Sequence, residues 1–116
     1  MSYRSFEDLE VWKRACALAV QVYILLKDCR HYAFRDQMIK AALSIASNIA
    51  EGAERDSKAE FIRFLNIAKG SAAELRTQLF IAAKAGIIRT GEAEELIREA
   101  KELSSMMHGL IKSIKK

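Results

Sequence analysis

Apolar residues recur with a period near 3.6 along the chain and divide it into four stretches, which predict four α-helices. We place these helices at about 9–27, 34–55 and 57–85, with the fourth running from about 90 to the end. Ser57 with Glu60 three residues later predicts a capping box, and Gly86 predicts the end of the third helix. Because the connections are short, consecutive helices should run antiparallel. The pattern therefore predicts an all-α, up-down-up-down four-helix bundle that forms one domain over residues 1–116.

The first helix carries two apolar rows side by side, which together cover about 200° of its surface. We take the first row as its seam: Leu9, Trp12, Cys16, Ala19, Tyr23 and Leu26. The second row is Val11, Ala15, Leu18, Val22 and Leu25. One bundle core does not need so wide an arc. The helix is therefore predicted to bury a second face against another molecule, and the protein to be a homo-oligomer.

The second helix has a polar face made mostly of short side chains, which is typical of a close helix contact rather than of solvent. Glu51 lies on that face, and Glu74 lies beside the apolar seam of the third helix, so both carboxylates are expected to be buried or close to buried. An ion pair with Arg55 or Lys40 would stabilise Glu51. Gly70, inside the third helix, predicts a close backbone approach. The candidate structural polar and interface residues are Asn48, Glu51, Arg55 and Glu74.

Composition supports the helical prediction and excludes several classes. The chain has 116 residues, 51% hydrophobic and 29% charged, with five Gly and no Pro, which argues against disorder and against a turn-rich all-β fold. Cys16 and Cys29, about 20 Å apart on one helix, cannot pair, and free thiols fit a reducing cytoplasm. The amino-terminal segment has no apolar core of a signal peptide, and no apolar run is long enough to span a membrane, so we expect neither export nor membrane insertion.

Residue constellations of known chemistry are missing from the sequence. His31 and His108 are its only histidines, and neither falls in a metal-binding or catalytic spacing. The sequence has no glycine-rich phosphate loop and no serine or cysteine nucleophile with a nearby base. We therefore expect no catalytic residue, no cofactor and no metal, and a protein that is not an enzyme.

Charge is mildly basic and unevenly placed, with a net charge of +4. Lys58, Lys69 and Arg76 fall within about 20° on one face of the third helix, and a basic tail follows at the carboxyl end. These residues are candidates for binding the phosphates of a nucleic acid: Lys58, Lys69, Arg76, Lys112, Lys115 and Lys116. Solvated charge is the plain alternative. Ile62 and Phe80 share another face of the same helix and are candidates for an exposed apolar contact.

Three stretches resemble one protein family closely: Phe6 to Trp12, the run Ser44-Ile45-Ala46-Ser47-Asn48-Ile49-Ala50-Glu51-Gly52, and Glu60 to Ser71. The chain resembles the bacterial four-helix-bundle proteins encoded in intervening sequences of the 23S ribosomal RNA gene. The accessory protein of diversity-generating retroelements is similar in fold. The resemblance implies a homopentamer around a central channel, no known enzymatic activity, and association with RNA or with a protein that handles nucleic acid. The chain departs from the family at Ile39-Lys40, where an arginine pair is usual, and at Ala46, where proline is common.

Two functions remain open at this point. The first is a non-enzymatic oligomeric adaptor in the cytoplasm that binds RNA, or a nucleic-acid-handling protein, through basic surfaces. The second is a structural homo-oligomer that docks a protein partner through apolar patches and binds no nucleic acid. Salt separates them, because phosphate contacts weaken steeply with salt and apolar docking does not.

Overall fold

Four α-helices account for most of the computed structural model, which describes residues 5–116. A 3₁₀ turn at Phe6–Asp8 precedes α1 (Glu10–Leu26), α2 (Tyr32–Ala53), α3 (Lys58–Lys84) and α4 (Thr90–Lys115). Residues 5–116 contain no strand. The all-α prediction with four helices is therefore confirmed.

Helices packed side by side along their lengths form the body of the fold. At 1.5 Å per residue the 27-residue α3 is about 40 Å long, close to the longest dimension of 44 Å. Each helix contacts the next along the chain, and α1 also contacts α4, which closes the bundle. Connections of four or five residues leave no room for a crossover, so consecutive helices run in opposite directions. One end of the bundle therefore holds both the start of α3 and the end of α4.

Local signals set the helix ends, most clearly in α3. The Ser57 hydroxyl oxygen accepts the amide of Glu60 at 3.0 Å, as the capping box predicts. Gly86 follows α3 with φ of 78°, and the amide of Ile87 donates to the Ala82 carbonyl at 2.8 Å. The start and the end of α3 were therefore predicted correctly.

The segment before α1 and the connection after it differ from their predictions. The run Ser5-Phe6-Glu7-Asp8 predicts an N-cap region for the first helix, but the Ser5 hydroxyl oxygen accepts the amide of Glu7 at 3.2 Å and caps a separate 3₁₀ turn. The prediction that both cysteines lie on one helix is wrong, because α1 ends at Leu26 and Cys29 lies in the connection. Both cysteines are nevertheless free thiols.

The 3.6 periodicity of the third helix predicts one apolar seam, and every residue of that seam is buried: Phe61, Phe64, Leu65, Ala68, Ala72, Leu75, Leu79 and Ala82. In α1 the order of the two apolar rows is reversed. The buried residues are Val11, Ala15, Leu18, Val22 and Leu26. Trp12, Cys16 and Ala19 are only half-buried, and Tyr23 is 54% exposed. The second row thus faces the core. Of the row predicted as the seam, Leu26 is buried and Leu9, Trp12 and Ala19 pack on the edge of the core, so it forms a flank of α1 rather than its inner face.

The close approach predicted at Gly70 is found at another glycine, Gly52. A Cβ placed on Gly70 would meet nothing within 4 Å, so the predicted close approach at this position is wrong within one chain. Gly52 is the tight position, because a Cβ there would lie 2.5 Å from Phe64 Cβ. Side-chain volume at position 52 would push α2 away from α3.

A bridge between charged side chains joins α1 to α4. Arg14 Nη2 lies 2.8 Å from Glu99 Oε1, and Arg14 Nη1 lies 2.9 Å from Glu102 Oε1. The hydrogen bond from Arg14, aided by its charge, holds the pKa of Glu102 below its ordinary value. The sequence analysis did not find this pair, because 85 and 88 residues separate the partners.

Candidate nucleic-acid and subunit interfaces

Basic side chains gather at the end of the bundle where α3 begins and α4 ends. Lys58 is the first residue of α3, and Lys112 and Lys115 lie in the last turn of α4, followed by Lys116. A cavity of about 430 Å³ lies between the two helix ends. Its lining is Arg55, Asp56, Ser57, Lys58, Phe61, Ser113, Ile114 and Lys116. The structure thus brings Lys58 and Lys116 to one cavity, a pairing that the sequence pattern does not predict.

The other two cations of the predicted stripe lie farther along α3. At 1.5 Å per residue, Lys69 is about 16 Å and Arg76 about 27 Å from Lys58. Both are half-buried, so their stems pack on the bundle, and within residues 5–116 neither forms an ion pair. The hydroxyl of Ser71 contacts α2. Residues 69 and 71 are about 200° apart around α3, so Lys69 lies on the side of α3 that faces away from α2 and towards α4, which we call the α3–α4 flank.

A small polar network lies where α2 and α3 meet. Asn48 Nδ2 donates to the carbonyl of Ser44 at 2.8 Å and to its hydroxyl at 2.9 Å. The hydroxyls of Ser44 and Ser71 are 2.9 Å apart and link the two helices. Nearby on α3, the amide oxygen of Gln78 is buried without a hydrogen-bond partner among the described residues. Asn48 therefore lies beside a helix contact, as expected.

The carboxylates predicted to be buried are exposed within one chain. Glu51 Oε1 accepts from Arg55 Nη2 at 3.4 Å, with the two side chains 57% and 46% exposed. The ion pair is the one expected, but it lies on the outer face of α2, which no helix of the same chain covers. Glu74 is likewise exposed, on α3. The expected burial of Glu51 and Glu74 is therefore wrong for the single chain, and their place at a subunit contact stays a prediction.

An apolar groove runs between α1 and α2 on the side of the bundle opposite to the α3–α4 flank. It has a volume of about 400 Å³ and is lined by Cys16, Ala19, Val20, Tyr23, Ile39, Leu43, Ala46 and Ser47. Leu43 is 55% exposed. Burial raises the pKa of the Cys16 thiol, so the sulfur is protonated near neutral pH and is a poor nucleophile. Three residues of the row predicted as the seam of α1, Cys16, Ala19 and Tyr23, line this groove, and the contribution of Leu43 from α2 was not predicted.

Of the two apolar candidates on α3, only one is freely exposed. Phe80 is 56% exposed, and Lys84 Nζ lies 5.5 Å from its ring centroid. Ile62 is half-buried and packs against the core. Of the two residues predicted to form an exposed apolar contact on α3, only Phe80 is available for one.

Metal-binding clusters and membrane-spanning helices are absent from the described part of the chain. Residues 5–116 hold no group of three or more His, Cys, Asp or Glu side chains that could bind a metal ion. Both histidines are exposed, and His31 lies at the N-cap position of α2 without a side-chain capping bond. Over the same residues, no helix combines the length and the apolar character needed to cross a membrane.

The geometry defines a class of four-helix protein with a basic end and an outward apolar groove. A family profile described as 23S rRNA-intervening sequence protein matches residues 7–109, and the chain belongs to this family. A similar solved structure is a protein of unknown function from the S23 ribosomal protein family of Bacteroides thetaiotaomicron VPI-5482. It is 24% identical, superimposes with a TM-score of 0.83, and covers 88% of this chain and 98% of its own. At that identity the likeness supports the fold alone. No match is found among curated proteins.

Proposed function

We propose that this protein is a non-enzymatic, cytoplasmic homo-oligomer that binds RNA and acts as an adaptor. The copies would associate through the apolar groove between α1 and α2. The basic end and the α3–α4 flank would remain free for phosphates. The family resemblance gives five as the expected number of copies and a ring as the expected assembly.

The proposal rests on one observation. The bundle exposes an apolar groove and, on a different part of its surface, cations that have no carboxylate partner among residues 5–116. Tyr23 and Leu43, large apolar side chains, are about half exposed in the groove. Exposed contiguous apolar surface marks interaction sites in soluble proteins. Lys58, Lys69 and Arg76 have no carboxylate within ion-pair distance among residues 5–116. One surface can therefore assemble the protein while the other binds a polyanion.

Assembly changes the expected strength of RNA binding. A few phosphate contacts per copy give non-specific binding with a Kd of about 10⁻⁴ to 10⁻⁶ M at physiological salt. Several copies on one strand raise the effective concentration, which strengthens binding without any new contact. Binding should therefore require the oligomer, weaken steeply with salt, and depend little on RNA sequence.

Light scattering and RNA titration test the two parts of the proposal separately. We expect a mass near five times the 13.1 kDa of one chain. A mass of one chain at micromolar concentration would contradict self-association. In fluorescence anisotropy, replacing Lys58, Lys69 and Arg76 together by glutamine should weaken RNA binding to a similar degree for all sequences. Glutamine keeps part of each stem, and Lys69 and Arg76 are half-buried. An intact oligomer that binds no RNA even at about 50 mM salt would refute RNA binding.

A second candidate function is docking of a protein partner without nucleic acid. The apolar groove favours it, since a cavity of about 400 Å³ with apolar walls can take the apolar side chains of another protein. Phe80 offers a further exposed contact on the other side of the bundle. Affinity for such a partner should change little between low and high salt.

A further inference from the structure

We propose that the cavity at the basic end binds a phosphate group of a nucleic-acid strand through Arg55, Lys58 and Lys116. The inference rests on the proposed RNA-binding function and assigns it a particular site. The three cations come from three parts of the chain: the connection after α2, the start of α3 and the residue after α4. They line one cavity, in which Asp56 is the one carboxylate side chain.

Two of the three cations of this cavity, Lys58 and Lys116, form no ion pair within residues 5–116, whereas Arg55 lies 3.4 Å from Glu51. Arg14, Arg35 and Arg63, in contrast, each lie 2.8–2.9 Å from a carboxylate oxygen. A phosphate would supply the negative charge that the protein supplies to those three arginines.

Arg55 is held in position beside the cavity. Its guanidinium carbon lies 5.0 Å from the centroid of the Phe64 ring, and its Nη2 is 3.4 Å from Glu51. Stacking of this kind fixes the guanidinium plane and leaves other N–H groups free to donate. Arg55 can therefore bind a phosphate oxygen with little loss of side-chain freedom.

Stabilisation of the helices does not explain the placement of Lys58. Lysines in the last turn of α4 favour that helix, because its carboxyl end carries the negative pole. Lys58 stands at the opposite pole, in the first turn of α3, where a cation is unfavourable. A cation placed against the helix dipole fits a ligand-binding role better than a structural one.

Cavity size and walls suit a phosphate attached to a sugar. The volume of about 430 Å³ falls within the usual range of about 300–1,000 Å³ for ligand sites. Phe61 and Ile114 are buried and provide apolar wall, which reduces the screening of the cations by water. Ser113 adds a hydroxyl that can donate to a phosphate oxygen.

The test compares two double variants that lose the same charge. Lys58→Gln with Lys116→Gln alters the cavity, whereas Lys27→Gln with Lys101→Gln removes two exposed lysines elsewhere. RNA affinity is measured by anisotropy at several salt concentrations, after the oligomeric mass of each variant has been checked. We expect the cavity variant to bind about tenfold more weakly, with a salt slope that falls by about 0.7 for each phosphate it no longer neutralises. The control variant should stay within about twofold of the wild type.

Inorganic phosphate provides a second measurement that does not depend on RNA. In an NMR titration at constant ionic strength, phosphate should change the chemical shifts of the amide resonances of Ser57, Lys58 and Ser113, and the change should saturate. Chloride should not have this effect. Equal loss of RNA affinity in both double variants, or none in either, would overturn the site while leaving RNA binding in place. If the wild type binds no RNA, the proposed function fails, and the phosphate titration decides the cavity alone: localised saturable shifts support the site, and their absence overturns it.

Discussion

Replacing Gly52 with alanine tests the closest approach between α2 and α3. The added Cβ would lie 2.5 Å from Phe64 Cβ and 3.2 Å from Phe61 Cδ1. Phe64 Cβ is attached directly to the backbone, so α3 itself must move. Overpacking of this kind costs about 1–3 kcal/mol. Alanine has a higher helix propensity than glycine, by ~1 kcal/mol at an interior position. The gain at position 52 is smaller, because α2 ends at Ala53. We expect a net loss of about 1–2 kcal/mol in the free energy of unfolding.

Thermal unfolding followed by circular dichroism measures this loss. With an unfolding entropy of about 2.1 cal/mol/K per residue, 116 residues convert 1 kcal/mol into a Tm shift of about 4 °C. Gly52→Ala should therefore lower Tm by about 4–8 °C. Gly70→Ala is the matched control, because its Cβ meets nothing within 4 Å, and it should raise Tm by up to about 4 °C. A Gly52→Ala protein as stable as the wild type would refute the packing argument. A Gly70→Ala protein that loses oligomeric mass would indicate that another chain packs against position 70.

Three further substitutions test separate contacts. Arg14→Leu removes the bridge to α4 and should lower the free energy of unfolding, measured in urea at pH 7, by no more than about 1 kcal/mol, because the partners are partly exposed. Because Arg14 holds the pKa of Glu102 low, the bridge stabilises above the ordinary carboxyl pKa, and its contribution should fade as pH drops below about 4; a constant difference would contradict this. Ser57→Ala should lower Tm by about 4 °C because the cap is removed, whereas Ser105→Ala, at an exposed position, should not. Glu74→Ala should shift light-scattering mass towards one chain; unchanged mass and Tm would make Glu74 ordinary surface.

The sequence predicted the buried residues of α3 and α4 better than those of α1. The reason is that polar residues on both sides define the apolar stripe more clearly in α3 and α4. Polar residues border a single stripe on α3, so every residue of its predicted seam is buried. In α4 the periodicity predicts a seam of Leu96, Ala100, Leu103, Met107, Leu110 and Ile114. All of them are buried except Leu110, which is half-buried while its neighbour Ile111 is buried. In α1 both rows are apolar, so periodicity shows two faces without telling which one meets the core. Only the packing of the other three helices decides that Val11 and Leu18 face inward.

The candidate sites depended on contacts between residues far apart in the sequence. The basic character of Lys58 and Lys116 is visible in the sequence, but their shared cavity follows from antiparallel packing of α3 and α4. Exposure of Glu51 was missed because a small polar helix face was taken as evidence of burial within the chain. Ser44 and Asn48 of that face do lie beside the contact with α3, whereas Glu51 lies on its outward part, where a contact with another copy stays a prediction. Composition alone does not distinguish packing inside one chain from packing between chains.

The groove between α1 and α2 is proposed as the subunit contact, and one substitution tests whether it is instead free for a protein partner. Leu43→Glu changes a side chain that is 55% exposed, so one isolated chain should lose no more than about 0.5 kcal/mol. If the groove is a subunit contact, the new carboxylate would be buried without a partner, at a cost of several kcal/mol, and light scattering should show dissociation. Ser105→Glu adds the same charge at an exposed position on α4 and should leave the mass unchanged.

Symmetry gives this experiment a second use. A closed ring of five copies is built from head-to-tail contacts, in which the groove of one copy meets a different surface of the next. Ile81, 45% exposed on α3 and about 120–140° around the helix from Lys69 and Arg76, is an apolar candidate for that surface that leaves the α3–α4 flank free. Dissociation by both Leu43→Glu and Ile81→Glu would support a head-to-tail ring, whereas dissociation by Leu43→Glu alone would favour a groove that pairs with itself or with another face. An oligomer that survives Leu43→Glu would contradict the proposed subunit contact and leave the groove free for a protein partner.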